Sequence, residues 1–170
     1  MMKIGLIADT HGYLDPAVLE YFQDRDEIWH VGDFGDPAIA DTLAKVAPLR
    51  GVYGNIDGQM IRDRFPLHQR FDLEGLSIWM THIGGMPGRY CIPIRKEITT
   101  HPPDLFICGH SHILKIERDP DLKKMVYLNP GAAGRAGFHQ VRTIVLFELD
   151  QGTIGKMNVV ELGPVVEERG

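Results

Sequence analysis

The residue pattern predicts an α/β protein built from two mixed β-sheets that pack face to face, with helices outside. Short, nearly continuous apolar runs alternate with helical segments through the first third of the chain, and hairpin turn signals dominate the remainder. The chain has 170 residues, 44% of them hydrophobic and 24% charged, as expected of a globular protein. At about 150 residues per domain, residues 1–170 are expected to form one domain. A chain of this length buries roughly 70% of the surface its unfolded form exposes, so it needs no disulfide scaffold.

Residues 3–8 read as a buried strand from their short apolar run. Asp15-Pro16 then sets an N-cap before a proline at the first helical position, which opens a helix to Phe22. Residues 27–31 form the second strand, Asp36-Pro37 caps a helix over 38–46, and residues 49–53 form the third strand. This β-α-β-α-β order is the mark of a sheet with helical crossovers. After a short helix over 60–64, segments 70–73 and 77–81 flank Glu74-Gly75 as a hairpin. A helix over 94–100 stops at His101-Pro102-Pro103, and 105–108 is another buried strand. Strands over 113–118 and 124–128 bracket Asp119-Pro120-Asp121, and strands over 143–149 and 154–161 bracket Asp150-Gln151-Gly152. Covering both faces of such sheets is most economical when the two stack on each other.

The formal net charge of −5 argues against a non-specific grip on a polyanion, which takes a basic stripe, so no stable nucleic-acid binding is expected. No run of about 18 apolar residues occurs, so no membrane-spanning helix is expected. Cys91 and Cys108 lack C-x-x-C spacing and read as buried thiols of a reducing compartment. The apolar start of the chain carries one lysine and stops at Asp9 without a small-residue cleavage site. It reads as a first strand and not as a signal peptide, and a cytoplasmic location is expected.

The chemistry lies in what ends the strands. The five apolar runs end in Asp9-Thr10-His11, Asp33, Asn55, His82 and His110-Ser111-His112. Each residue alone has an ordinary explanation: Asp9 and Asp33 as turn formers, Asn55 as a left-handed cap, His82 as a satisfied core imidazole. Five donor-bearing strand ends at the same topological position point instead to one crevice, because ligands of open α/β sheets bind at the carboxyl ends of strands. Gly12, Gly32, Gly54, Gly84 and Gly109 stand beside them, where backbone must come close or take positive φ. Two carboxylates, one amide oxygen and four imidazoles are too many donors for one tetrahedral zinc and include no thiolate. They suit two divalent cations sharing a bridging carboxylate, with positions left for water. Such a site carries a charge of about +1 and favours an anion with oxygens to share, above all a phosphate ester.

The motifs Asp9-x-His11, Gly32-Asp33, Gly54-Asn55-x-Asp57, Thr81-His82 and Gly109-His110-x-His112 follow one another over residues 9–112. In this order they resemble the calcineurin-like metallophosphoesterases, and with the later Asn129-Pro130-Gly131 turn they are similar to the compact bacterial and archaeal phosphodiesterase branch. The resemblance implies a four-layer α/β/β/α sandwich. It also implies that Asp33 bridges two metals and positions a hydroxide, with Asp9, His11 and His112 completing one site and Asn55, His82 and His110 the other. Mn²⁺ is the expected metal; Fe, Ni²⁺ and Zn²⁺ also suit the donors, and imidazole-rich ligation makes Mg²⁺ the least apt. The implied activity is hydrolysis of small or nucleotide-like phosphodiesters through in-line attack by the metal-bridging hydroxide. A dimer or tetramer is also implied. Two alternatives share the fold: a non-catalytic scaffold like a trafficking subunit, which has no need of seven filled ligand positions, and a DNA-processing nuclease, which usually carries further domains.

One position departs from the family pattern. Many members follow the asparagine of the third motif with a histidine that assists the leaving group, whereas this chain has Ile56. A general acid contributes typically 10²–10⁴-fold, so aryl or cyclic diesters are expected to exceed alkyl monoesters as substrates. Asp57 either orients a ligand from behind or caps the next helix. His30 either lines the pocket or packs within its strand, and Arg89 and Tyr90, after the Gly84-Gly85 loop, either touch a substrate phosphate or lie solvated on that loop. His68, His101 and His139 read as surface histidines. The segment Asn129-Pro130-Gly131-Ala132-Ala133-Gly134 lacks the Gly-Lys-Ser/Thr of a P-loop and reads as a wall of the site.

Overall fold

Strand β1 (Met2–Ile7) opens the computed structural model, which describes residues 1–165; the last part of the single-domain expectation, 166–170, lies outside the described residues. There follow α1 (Pro16–Phe22), β2 (Glu27–His30), α2 (Pro37–Val46) and β3 (Leu49–Gly51). The carboxylates of Asp15 and Asp36 accept from the backbone N–H of Ala17 and Ala38 at 2.9 Å, and each cap is followed by the expected proline. Next come α3 (Gln59–Arg64) and the hairpin of β4 (His68–Leu73) with β5 (Leu76–Thr81), which turns at Glu74 and Gly75 with φ of 51° and 75°. The chain continues through β6 (Gly85–Met86), β7 (Arg89–Tyr90), α4 (Ile92–Thr100), β8 (Leu105–Ile107), β9 (Leu114–Asp119) and β10 (Met125–Pro130). It closes with β11 (Val141–Asp150), β12 (Thr153–Ile154) and β13 (Asn158–Pro164).

The first sheet runs β12-β11-β1-β2-β3, with β13 also paired to β11; β1, β2 and β3 are mutually parallel and β11 is antiparallel to β1. The second sheet runs β4-β5-β8-β10-β9, with a parallel centre and antiparallel edges. Period-two alternation along each strand sorts the side chains into three apolar zones. Ile4, Leu6, Trp29 and Phe147 of the first sheet meet Ile78, Met80, Ile107 and Leu128 of the second. The reverse face of the first sheet, with Ile7, Ile28 and Ile144, packs on Val18 and Phe22 of α1, Leu43 of α2 and Ile61 of α3. Trp79, Phe106 and Tyr127 on the far face of the second sheet pack on Ile94 and Ile98 of α4. These zones separate four layers: helix, sheet, sheet, helix. Each buried large side chain contributes roughly 1.5–3 kcal/mol.

Three expectations need correction. The strand expected over 154–161 is two strands, because Leu149 pairs with Ile154 whereas Leu146 pairs with Asn158, which leaves one extra residue on the outer strand. The bulge starts at Gly155, whose N–H donates to Glu148 O at 2.7 Å. The stretch after Gly84 is a short hairpin, β6 with β7, and not a plain loop. Two-residue strands are too short to register as an alternating pattern. Helix α4 begins two residues earlier than expected, since Pro93 is tolerated in a first turn. Among the described residues, no helix is long and apolar enough to cross a membrane.

Candidate metal centre

The five strand ends meet at one edge of the sandwich. Backbone bonds tie them together: Asp9 N–H donates to Gly32 O, His11 N–H to Asp33 O and Gly109 N–H to His82 O, each at 3.0 Å. Asp9, His11, Asp33, His110 and His112 all have left-handed backbones, with φ between 46° and 70°. Such conformations cost roughly 1–3 kcal/mol for residues with a Cβ and collect at functional sites, where the surroundings over-determine them.

The donors form two adjacent groups, Asp9 with His11 and His112, and Asp33 with His82 and His110; within each group the ligating atoms lie within 4.8 Å of one another. Asp33 Oδ2 belongs geometrically to both, lying 3.3 Å from His11 Nε2 and 3.1 Å from His82 Nε2. Asp9 Oδ1 stands 3.4 Å from His112 Nε2, 3.6 Å from His11 Nε2 and 3.7 Å from His82 Nε2. Asn55 joins at the mouth, its Oδ1 accepting from His110 Nδ1 at 3.1 Å. All seven expected donors are thus brought together. The carboxylates and His82 lie on a buried floor, while Asn55 and His110 are exposed at the rim.

Whether cations fit is answered by the floor. His82 Nδ1–H donates to Val31 O at 2.7 Å, so in the neutral ring the Nε2 lone pair is aimed at carboxylate oxygens. Lone pair against lone pair is repulsive unless a proton or a cation sits between. Asp9 Oδ1, His11 Nε2 and His82 Nε2 are buried without a hydrogen-bond partner. Leaving such atoms unsatisfied costs about 1–3 kcal/mol each. The residues fit divalent cations at two neighbouring positions, and carboxylate–imidazole chemistry matches borderline metals.

Burial opposes ionisation of Asp9, yet His11, His112 and His82 hold its carboxyl far below the ordinary carboxylate range. At Asp33 burial is likewise overridden, chiefly by His82. Reciprocally, Asp9 raises His11, and Asp33 raises His82 against the effect of burial. His110, at the rim, is pushed down by burial and by His82. The floor is therefore an ionised pair of carboxylates, the environment a cation needs.

Supporting residues stand behind these donors. Asp57, buried, accepts from the backbone N–H of Asp33 at 2.9 Å, Gly35 at 3.0 Å and Gly54 at 2.8 Å. It joins the loop after β2 to the loop after β3 and does not cap α3, whose N-cap is Gly58. A Cβ at Gly54 would overlap Asp33 Oδ1 and its backbone nitrogen, so only glycine lets these loops close. His30 does not line the pocket. It is fully buried and stacked on Phe34, its Nδ1 accepts from Gly32 N–H, and its Nε2 meets Thr10 Oγ1 at 3.0 Å. Thr10 Oγ1 in turn donates to Phe34 O at 2.9 Å. The loop after β10 forms a wall as expected, with Ala133 and Gly134 N–H donating to the carbonyls of Ala8 and Asp9. Asn129 Nδ2 braces the histidine loop through Gly109 O at 3.1 Å and Ser111 Oγ at 3.0 Å.

His139 is a correction. Its ring stands edge-on to that of His112 with centroids 5.0 Å apart, Nε2–H donates to Gly134 O at 2.8 Å, and Nδ1 is buried without a partner. No apolar run precedes it, so nothing in the sequence marked it as a site residue. A cavity of about 670 Å³ adjoins the centre on the Asn55 and His82 side, and the exposed Arg89 of β7 helps to line it.

Comparison with known proteins follows the same outline. The sequence description of the calcineurin-like phosphoesterase superfamily domain matches residues 2–152. A probable metallophosphoesterase of Methanothermobacter thermautotrophicus is 32% identical over 136 residues, covering 77% of this chain and 77% of that protein. Among solved structures, an archaeal phosphodiesterase superposes with a TM-score of 0.76 at 22% identity, over 95% of this chain and 100% of that one. The Vps29 of Chaetomium thermophilum gives 0.73 at 18% identity, over 95% and 97%. At these identities the two structures speak for the fold.

Proposed function

Since this chain belongs to the calcineurin-like phosphoesterase superfamily and is an enzyme hydrolysing phosphate esters with the aid of divalent metal, we propose that it is a two-metal phosphodiesterase acting on small or nucleotide-like diesters. The observation carrying this reading is the place of Asp33 Oδ2, within 3.3 Å of imidazoles from both donor groups. Asp9, His11 and His112 would hold one metal, Asn55, His82 and His110 the other, and Asp33 both. When bound, the pair supplies positive charge for phosphate oxygens and lowers the pKa of water toward ~7, as in-line displacement requires.

The chain's own residues do the rest. Asp33 is oriented through its second oxygen, Oδ1, which accepts from Ile56 N–H at 3.1 Å. Position 56 thus contributes a backbone donor, while its exposed aliphatic side chain has no proton to give a leaving group. Good leaving groups, aryl or cyclic, are the matching substrates. Asn55 presents its carboxamide at the mouth, and Arg89, which lines the adjoining cavity, would meet a phosphate oxygen. Mn²⁺ is the proposed metal, and the free thiols of Cys91 and Cys108 support a cytoplasmic location.

The test is elemental analysis of the purified protein together with turnover of bis(p-nitrophenyl) phosphate. The expected result is about two equivalents of metal and turnover that chelator abolishes and Mn²⁺ restores. Two equivalents of metal with no ester hydrolysed would favour a scaffold, as the Vps29-like fold permits, and would overturn the reading.

A further inference from the structure

The cavity beside the metal centre is larger than a phosphate needs. Its roughly 670 Å³ falls in the range of pockets that enclose whole organic ligands. Its apolar walls come from three separate parts of the fold: Leu67 before β4, Ile83 after β5 and Ile92 at the start of α4. These side chains are 48%, 41% and 78% exposed. Single exposed aliphatics are ordinary, but three around one concavity that opens on a polar donor cluster mark a surface meant to be covered.

The charges nearby are largely committed. Arg62 donates from Nε to Asp57 O at 2.7 Å and lies over the Tyr53 ring. Arg95 donates to Tyr90 O at 3.1 and 2.9 Å. Both guanidinium groups are tied to backbone carbonyls, which leaves the exposed Arg89 among the lining arginines, a match for the anchored phosphoryl group but not for a second phosphate as well. The cavity is well equipped for hydrocarbon.

From this we infer that the cavity seats the ester arm of the substrate and selects arms bearing an uncharged apolar ring over short alkyl arms. The inference rests on the two-metal reading, because the phosphoryl group must first be anchored by the Asp33 centre. A ring lying against Leu67, Ile83 and Ile92 removes apolar surface on both sides from water, which a methyl group cannot do.

Phosphonates with a single arm test it without turnover. Calorimetry on the Mn²⁺-loaded protein should show phenylphosphonate binding about ten-fold or more tightly than methylphosphonate. In the double variant Leu67→Ser/Ile92→Ser, with circular dichroism and metal content unchanged, that ratio should fall below about three-fold. Equal affinities for the two phosphonates in the unmodified protein, or a ratio that survives the double substitution, overturn the cavity assignment alone. If neither phosphonate binds the metal-loaded protein, the assignment and the two-metal reading fall together.

Discussion

Asp33 shows how much can rest on one side chain. One oxygen is pinned by Ile56 N–H while the other faces His11 and His82. Asp33→Asn keeps the shape but halves the acceptor capacity and removes a charge. We expect loss of at least one metal equivalent and a fall in turnover of about 10³-fold or more, with an unchanged circular dichroism spectrum. Retention of both metals and of activity would show that Asp33 does not join the two groups. His30 gives a prediction of a different kind. Burial pushes it down to about 3 from an ordinary 6.5. The unfolded chain therefore takes up a proton below about 6.5 that the folded chain refuses until about 3. The sign is that of a depressed group: the contribution is present above 6.5 and is lost as pH falls through this window, with a slope of up to roughly 1.4 kcal/mol per pH unit. Between pH 7 and pH 5 the native protein should lose about 1–2 kcal/mol more stability in urea titrations than His30→Gln does. Equal losses would mean that the imidazole is protonated in place.

At the level of elements, Asp57 ties the loop after β2 to its own loop after β3, while backbone bonds from His11 N–H to Asp33 O and from Gly12 N–H to Phe34 O join the loop after β1 to them. Its carboxylate collects N–H groups from Asp33, Gly35 and Gly54, yet touches none of the donor atoms. Asp57→Asn places an amide against the same three donors. Metal affinity should drop by about 10–100-fold, while turnover at saturating metal falls far less. A fall in turnover that metal cannot restore, with affinity intact, would place Asp57 in the chemistry itself. The loop ends were legible where the local chemistry was strong. Asp15-Pro16 and Asp36-Pro37 mark helix starts, and Glu74-Gly75 marks a hairpin, because capping and turn geometry depend on residues next to each other. The bulge at Gly155 and the hairpin of β6 with β7 were not legible, because the bulge depends on its partner strand and the hairpin is too short to leave a pattern.

The whole molecule places two ionised carboxylates, several strained donor residues and four unsatisfied buried atoms at one edge of its sheets. Cations that bind the folded state alone stabilise it by mass action. At a hundredfold excess over Kd this amounts to about 2.7 kcal/mol per site, or a rise in Tm of roughly 5–10 °C for a chain of this size. Differential scanning calorimetry of chelated and Mn²⁺-loaded protein should show that rise, and an unchanged Tm would contradict the assignment of these donors to metal.

From the order of residues alone came the alternation of strands and helices, the capped helix starts and the placing of seven donors at strand ends. Periodicity, caps and chain punctuation are local and written in neighbouring letters. The family order of the motifs added the division of those donors into two sets. The folded chain put distances on the place of Asp33 between both sets, and it alone showed that His30 is sealed beneath the site, that Asp57 clamps its loops and that His139 stands against His112. Many of the contacts that build the site join distant residues, Asp57 with Gly35 across 22 positions and His110 with Asp9 across 101. Contacts of that span arise from how two sheets stack, and the stacking depends on the sum of many buried side chains and on no short stretch of sequence.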